Sequence, residues 1–594
     1  MSEPFEDSRR LTGANLYFDG AGAALESARG VAFDAQVLQR WRDHVERMRE
    51  ALGWPQGDVV VRTHASGVSL AFAAPIDQLY TAVEANEWAW HAALGLRASD
   101  KPVVSQEGLP RAHVAHLEVA AALLQLQQLA ASEAKPVLVA LIGAAKSRGV
   151  PAHADDDALS LGEGASSRTW PLDAMPGANA VPWTELRGIP KAIVTGSNGK
   201  TTTVRLIAAM LREHGLRCGY SSTDGLVVDG QCIDAGDYSG PVGARTVLRH
   251  PRVQAAVLEA ARGGLLRRGL VVDDALVAVV TNVSADHFGE YGVHTLDDIA
   301  AVKLVVAKAL DASGVLLLNA DDAQLVRRAD SLEATRIGWF AGEFATARAR
   351  APLACGVRNG RLWLADDGGE HDLGDIRAMP LTLGGSARYN VQNIAGAALA
   401  GHVLGVATGC IGRVLARFGD GPGDNPGRLQ RWVLGNATHS VQVLLDYAHN
   451  PEGLQGLLEV AADLRAGGRL GLILGQAGNR GDDDIRQLAA TAAQARPDRV
   501  WLKDIGGEYM RGRAPGEIAA ILFGALRASG MPASALPVCL DEARAAREAL
   551  QWARPGDLLV LPVHQTDARE AVVGLLNHLQ DSGWRAGAAL PADD

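Results

Sequence analysis

A chain of 594 residues is too long for one hydrophobic core, since single cores stop growing near ~250–300 residues, so the length calls for about three domains. Hydrophobic residues make up 47% and charged residues 21%, as in a globular protein, and the net charge of −11 works against nonspecific nucleic-acid binding. The five cysteines, Cys218, Cys232, Cys355, Cys410 and Cys539, lie far apart without a CxxC, which speaks against a disulfide framework or thiolate zinc site and for a reducing compartment.

In chain order, MSEPFEDSRR at the start holds no apolar signal core, and apolar runs such as 276–281 fall well short of the ~20 residues a membrane helix needs, so the expected location is cytoplasmic. Residues 1–160 mix strands at 59–62 and 68–72 with helices, including an amphipathic stretch at 111–129. His113 and His116 share a face of that stretch with Glu118 nearby, but no further His or Cys ligand stands at a fitting spacing, and they read as helix surface rather than a metal site. Residues 161–188 are rich in Gly, Ala, Ser and Pro, lack periodicity and read as a linker or an excursion loop. From residue 189, strands (192–195, 255–258, 278–281, 315–318) alternate with helices such as 201–214, which predicts an α/β fold with a parallel sheet covered on both faces. A Gly/Pro/Asp run at 419–427 marks a boundary. Beyond it, strands at 441–445, 470–474, 499–502 and 558–561 alternate with helices including 451–464 and 515–528. The expected domains are 1–160, 189–424 and 425–594, with 161–188 as the linker.

Residues 194–203 read V-T-G-S-N-G-K-T-T-T, directly after a strand and directly before a helix. That context is what a phosphate-binding loop requires. Gly196, Ser197, Asn198 and Gly199 let the backbone wrap around phosphate oxygens, and Thr201 and Thr202 open a helix whose free N–H groups and positive dipole end face the anion. Lys200 would reach the terminal phosphates and Thr201 would hold Mg²⁺. The loop implies a nucleotide but not what the nucleotide does.

Later motifs, taken in order, resemble the Mur-ligase superfamily: Glu259 in V-L-E-A-A-R-G-G, His287 in T-N-V-S-A-D-H, Lys303 in A-V-K-L-V-V and Asn319 in L-N-A-D-D. Asn390 and Asn393 follow in A-R-Y-N-V-Q-N-I-A-G-A-A, with Ala387 where the family has Gly, then Arg428 in P-G-R and Asp446 in L-D-Y-A-H-N-P. Taken singly, Glu259 also reads as a solvated strand-end carboxylate and Lys303 as an exposed helical lysine; the order and spacing across roughly 250 residues carry the resemblance. It implies a P-loop central domain and a Rossmann-like C-terminal domain that closes over it. It implies ATP and Mg²⁺ as cofactors, with Glu259 and Thr201 on one Mg²⁺, His287 on a second and a carbamylated Lys303 beside them. Asn319 would contact adenine, Asn390 and Asn393 would belong to the nucleotide-site helix, Arg428 would approach the phosphates and Asp446 the ribose. The implied chemistry is ATP-dependent amide formation through an acyl-phosphate, the charge of phosphoryl transfer being met by Lys200, Arg428 and Mg²⁺.

Within that superfamily the chain is most similar to the cyanophycin synthetase family. The segments concerned are 220–230 (Y-S-S-T-D-G-L-V-V-D-G), 235–241 (A-G-D-Y-S-G-P), 257–270 (V-L-E-A-A-R-G-G-L-L-R-R-G-L) and 510–517 (M-R-G-R-A-P-G-E), with R-R-L-T-G-A-N-L-Y at 9–17 and N-E-W-A-W at 86–90. This implies amino-acid and carboxylate substrates, with arginine or a similar amine joined to an aspartate side chain, and a homo-oligomer. The family's ATP-grasp part, which adds backbone aspartate, has no counterpart between 148–168 and 189. G-Q-A-G-N-R-G at 475–481 and Ser197 in place of the commoner Thr also depart from the family pattern. Asp482, Asp483 and Asp484 read either as a guanidinium-binding cluster or as acidic residues that suit a helix N-terminus. The competing readings are a non-catalytic paralogue that binds ATP or polymer and regulates a synthetase, and a P-loop hydrolase.

Overall fold

The structure, a computed structural model of the chain, describes residues 3–96, 114–285, 288–332, 336–421, 423–436 and 439–591. The α/β architecture is organised around a sheet of eleven strands among these residues. Its middle is parallel, in the spatial order Cys218–Ser222, Ala255–Glu259, Lys191–Thr195, Ala275–Val280, Leu310–Asn319, Arg336–Glu343 and Ala354–Arg358. Antiparallel strands finish both edges. The middle strands carry runs of buried apolar residues because both faces are covered. Ala192, Val194, Val257, Val279 and Leu317 face the helices Lys200–Glu213 and Arg388–Val403, while Ile193, Leu258, Val280 and Leu318 face the opposite layer, which includes Leu296–Leu304.

The second series folds as a five-stranded sheet among the described residues, ordered Gln430–Asn436, His439–Asp446, Leu558–Pro562, Leu470–Leu474, Arg499–Leu502. Only its first pair is antiparallel. Near the N-terminus, four antiparallel strands (Phe5–Leu11, Gly22–Ser27, Gly67–Ala73, Val59–His64) carry the helices Ala35–Leu52 and Leu79–Leu94 around Trp41, Trp88 and Trp90. Most predicted strands and helices lie within a residue or two of their observed ends, but the strand predicted at 315–318 is the end of a longer one, Leu310–Asn319. The helix predicted at 111–129 is Val119–Glu133 in the structure, after a short turn at Val114–His116; His113 lies outside the described residues.

The segment 161–188, expected as a linker or an excursion loop, carries a paired strand and joins a small core. Arg168–Pro171 pairs with Ala158–Leu161, which pairs in turn with Ala152–Ala154. Val181 and Leu186 are buried with Leu138 and Leu141 of the helix Pro136–Lys146, and Trp170, Leu172 and Trp183 pack against them. Strands of three or four residues separated by turns leave no sequence period to read, which is why composition pointed to a linker.

The N-terminal sheet is bound to the central one by main-chain contacts. Thr12 N donates to Arg268 O and Leu270 N to Ala14 O, each at 2.8 Å, and the buried Arg9 donates from Nε to Leu266 O at 2.8 Å. At Gly13 a Cβ would sit 2.0 Å from Leu270 O, so this closeness requires glycine. No helix among the described residues is long and apolar enough to cross a membrane.

Candidate active site

A cavity of about 430 Å³ opens at the C-terminal ends of the central strands, between the two α/β sheets. That end of a parallel sheet is where helix N-termini and strand-end side chains converge on a ligand. Ser197, Asn198, Gly199, Lys200, Thr201 and Thr202 line it beside Glu259, Asn319, Asn390 and Asn393. Arg428, Asp446, Tyr447 and His449 line it from the second sheet.

The loop 196–199, expected to bind phosphate, is held from below by the strand end that begins T-N-V-S. Thr281 Oγ1 donates to Asn198 O at 2.6 Å, and Asn282 receives Asn198 N on Oδ1 at 2.8 Å. Gly196 has no room for a side chain, as a Cβ would lie 1.7 Å from Thr281 Oγ1. Gly199 has φ +80° at the start of the helix, with Asn393 Oδ1 where a Cβ would point. Both glycines are therefore fixed by close approach. Lys200 folds back, donating to the carbonyls of Gly196 and Ser197 at 3.0 and 3.1 Å.

Glu259 is buried, and both its oxygens accept hydroxyl protons, from Thr201 at 2.9 Å and from Thr223 at 2.8 Å. Oxygen donors of this kind, a carboxylate beside a threonine hydroxyl at a helix N-terminus, suit a hard cation such as Mg²⁺. Asn319 donates to Thr281 O at 2.9 Å and accepts from Asp321 N at 3.0 Å. Asn390 donates to Leu381 O, and Asn393 donates to Asn390 Oδ1. Their amides thus brace the cavity wall. Lys303 is buried on the helix Leu296–Leu304 and is not among the residues lining the cavity. His287 lies outside the described residues.

From the second sheet, Asp446 accepts Leu429 N at 2.7 Å, and burial raises its carboxyl against the pull of Arg428. Arg428 stacks on the Tyr447 ring, 4.1 Å from its centroid, and pairs with Asp224 at 3.2 Å. Asp224 also receives Arg205 at 2.9 Å and Arg569, from the C-terminal helix Thr566–Asp581, at 3.0 Å. Burial opposes the charge on Asp224, but Arg428, Arg205 and Arg569 outweigh it and hold the carboxyl below its ordinary range. Asn450 donates to Asn198 Oδ1, and Asn198 donates to Glu452, both at 2.9 Å, so the second sheet also touches the loop 196–199.

Several of these residues escaped the sequence reading. Thr223 and Asp224 lie within the S-T-D-G segment, yet nothing local marks them as partners of Glu259 and Arg428. Tyr389 lines the cavity, and its buried hydroxyl has no hydrogen-bond partner among the described residues, which is the condition of a donor waiting for ligand or water. The aspartates 482–484 are absent from the cavity lining. Asp482 pairs with Arg513 at 2.8 Å and Asp483 with Arg486 at 2.7 Å, at the N-terminus of helix Asp482–Gln494, so the helix-terminus reading accounts for them. No cluster of three or more His, Cys, Asp or Glu able to hold a metal is found among the described residues.

Residues 194–401 match the Mur ligase middle domain, and residues 427–562 match the Mur ligase, glutamate ligase domain. A cyanophycin synthetase of Synechocystis sp. is 35% identical over 390 residues, 65% of this chain and 43% of that protein. A UDP-N-acetylmuramoyl-L-alanyl-D-glutamate–2,6-diaminopimelate ligase of Xanthomonas campestris pv. campestris is 29% identical over 67% of this chain and 77% of that protein. Among solved structures, E. coli FolC in complex with DHPP and ADP is 19% identical, covering 66% of this chain and 89% of that one at a TM-score of 0.49. The chain spans less than half the length of the cyanophycin synthetases it matches.

Proposed function

Since this chain belongs to the Mur ligases, carrying their middle and C-terminal domains, we propose that it is an ADP-forming carboxylate–amine ligase that joins arginine or a similar amine to an aspartate side chain of a cyanophycin-like acceptor. The observation that carries this reading is one cavity lined from one side by Lys200, Thr201 and Glu259 and from the other by Arg428 and Asp446. The similarity to cyanophycin synthetase supports the choice of substrates.

A carboxylate is a poor electrophile. In the proposed reaction an acceptor carboxylate oxygen attacks the γ-phosphorus of ATP, an O–P bond forms, and the β–γ bond breaks to release ADP. The amine nitrogen then bonds to the acyl carbon, inorganic phosphate leaves with the C–O electron pair, and the amine loses a proton. Lys200, once it leaves the loop carbonyls, meets the charge on the γ-phosphoryl oxygens, and Arg428 meets it from the facing sheet. Asp446 and the Tyr389 hydroxyl are placed to hold polar groups of the nucleotide, and contact between the sheets keeps water from the acyl-phosphate. Thr201 and Glu259 would hold Mg²⁺, with His287 and a carbamylated Lys303 contributing further. The metal would supply charge neutralisation on the transferred phosphoryl group. For Lys303, loss of activity in Lys303→Ala with partial rescue by a small carboxylic acid is the expected result; a high-resolution map with nucleotide and metal bound that shows an unmodified amine turned to solvent excludes the carbamate.

The product is a single isopeptide-type bond per acceptor carboxylate, because backbone growth needs a second activation with its own phosphate site. The test incubates the full chain with ATP, Mg²⁺, arginine, aspartate and an aspartyl peptide, followed by mass spectrometry. Addition of arginine up to the number of free carboxylates fits the proposal. Lengthening by repeated aspartate–arginine units, or ADP release indifferent to the peptide, overturns it.

A further inference from the structure

Beneath the cavity loop Asp446–Asn450, the second sheet buries a charged cluster that the mechanism above does not use. Lys503 follows the strand Arg499–Leu502, Glu542 opens the helix Glu542–Trp552, and His564 follows the strand Leu558–Pro562. Their relative exposures are 0%, 1% and 3%. Lys503 Nζ contacts Glu542 Oε1 and lies 3.0 Å from His564 Nδ1. Glu542 also accepts the backbone N–H groups of His564 and Gln565. Gly475 leaves the space through which Lys503 passes, since a Cβ there would lie 2.8 Å from Lys503 Cγ. Burying an ion pair this deeply is rarely favourable for stability alone.

The arrangement fixes a proton. His564 Nδ1 faces two groups of opposite demand, the Lys503 ammonium at 3.0 Å, which only donates, and Glu542 Oε1 at 3.2 Å, which only accepts. The backbone carbonyl of Ala448 on the other ring nitrogen also only accepts, and in a neutral ring this leaves the lone pair on Nδ1, toward the ammonium. The ring proton then resides on Nε2, which lies 3.1 Å from the carbonyl oxygen of Ala448. The same ring meets Tyr447 edge-on, with centroids 5.2 Å apart, and Tyr447 is the platform for Arg428. Ala448 and Tyr447 both line the cavity.

We propose that Lys503 and Glu542 are positioning residues that lock His564 as the Nε2–H tautomer, and that this tautomer holds the Tyr447–Ala448 backbone where Arg428 and Asp446 can meet the nucleotide. The proposal rests on the ATP-site reading above. Lys503, Glu542, Tyr447 and the Ala448 carbonyl face the ring, and Asp504, beside Lys503, is occupied by Gly516 N. Without the ammonium, Glu542 draws the neutral ring's proton to Nδ1. Nε2 then turns a lone pair on the Ala448 oxygen, and the loop is repelled. A doubly protonated ring donates from both nitrogens and restores the contact. Burial and then Lys503 hold the His564 pKa below its ordinary value against the pull of Glu542. Removing Lys503 takes away one of the two lowering causes and makes the loop sensitive to alkali, with loss of ordered loop as pH rises past the histidine pKa.

The experiment measures Mg²⁺–ATP affinity of the full chain by calorimetry between pH 6 and 9. Wild type, Lys503→Met, His564→Gln and Lys200→Ala are compared, with thermal melts to confirm folding. Lys503→Met is expected to bind about tenfold more weakly at high pH and to return to within about threefold of wild type at pH 6, in the range typical of supporting residues. His564→Gln, which keeps a side-chain N–H in reach of the carbonyl, should stay within about threefold and show no such pH dependence. Histidine ¹⁵N resonances, with His564 assigned by its loss in the Gln variant, should show Nε2 protonated in wild type at neutral pH. An Nδ1-protonated His564, or a Lys503→Met deficit that does not change with pH, overturns the proposal. A wild type that does not bind ATP, or a Lys200→Ala protein that binds as well as wild type, overturns the ATP-site reading instead, while the resonances still decide the tautomer.

Discussion

The two sides of the cavity are built on different principles. The central side sits on strand ends and a helix N-terminus, and its polar groups are satisfied from within: Lys200 by loop carbonyls, Glu259 by Thr201 and Thr223, Asn198 by Thr281 and Asn282. The facing side rests on the loop Asp446–Asn450 and on Arg428, whose partner Asp224 belongs to the central domain. One side is braced by its own residues; the other is joined to its neighbour by contact. A substitution on the first should abolish chemistry without loosening the structure, whereas one on the second should loosen the assembly first.

The largest effect is expected from Lys200→Ala. In the proposed reaction its charge meets the nucleotide's terminal phosphates, so ATP binding should weaken and ATP-dependent product formation should fall at least ~10²-fold while the melting temperature stays near wild type. Near-normal turnover in the folded variant would remove the basis for the braced side. Next in size, Asp224→Asn strips the carboxylate from Arg205, Arg428 and Arg569 and leaves guanidinium groups buried without it. Breaking such a site costs on the order of 3–5 kcal/mol. Calorimetric unfolding should show that loss together with weakened ATP binding; a variant equal to wild type in both would mean the two sides do not depend on this contact.

Acid gives a milder form of the same test. The Asp224 carboxyl lies below its ordinary range in the folded protein, so its stabilisation is complete above the unfolded value of ~4 and is lost as pH falls through the lower folded value. Stability of the junction should decline there in wild type and change less over the same interval in Asp224→Asn. The smallest effect belongs to Asp482→Ala. Its partners are the exposed Arg486 and the half-buried Arg513, which also donates to the carbonyls of Gly478 and Arg480, so turnover and arginine dependence should be unchanged and stability should shift by no more than ~0.5 kcal/mol. A large fall in arginine affinity would return these aspartates to the substrate site.

The same contrast governs what could be read without coordinates. The strand–loop–helix at 194–203 was legible because its determinants are contiguous: strand, glycines, lysine and helix start within ten residues. The α/β pattern was legible because strands buried on both faces are apolar runs. Asp224 was not, because Arg569 joins it from 345 residues away and no local spacing announces such a meeting. Thr281 and Asn282 were noticed only as a lead-in to His287, although they clamp the loop themselves. The small sheet ending at Arg168–Pro171 was missed because its strands are too short for a period. The resemblance to the Mur-ligase superfamily gave the order of the motifs; it did not give the links between them, such as His564 to Ala448.

The stitching of the N-terminal sheet to the segment after Glu259 has a consequence for synthesis. Arg9 finds Glu26, Asp7 and Tyr17 within its own domain, but the carbonyl of Leu266 lies 257 residues later, and the Tyr291 ring that Arg9 stacks over later still. At ribosomal rates of ~5–20 residues per second, that carbonyl emerges roughly 13–50 s after Arg9. During this interval the edge at Arg9–Ala14 faces solvent with its later partners, Leu266, Arg268 and Leu270, still unmade. The N-terminal domain therefore has to persist as a nascent body with an open docking edge, and its closure onto the chain reports that the catalytic sheet has begun to form.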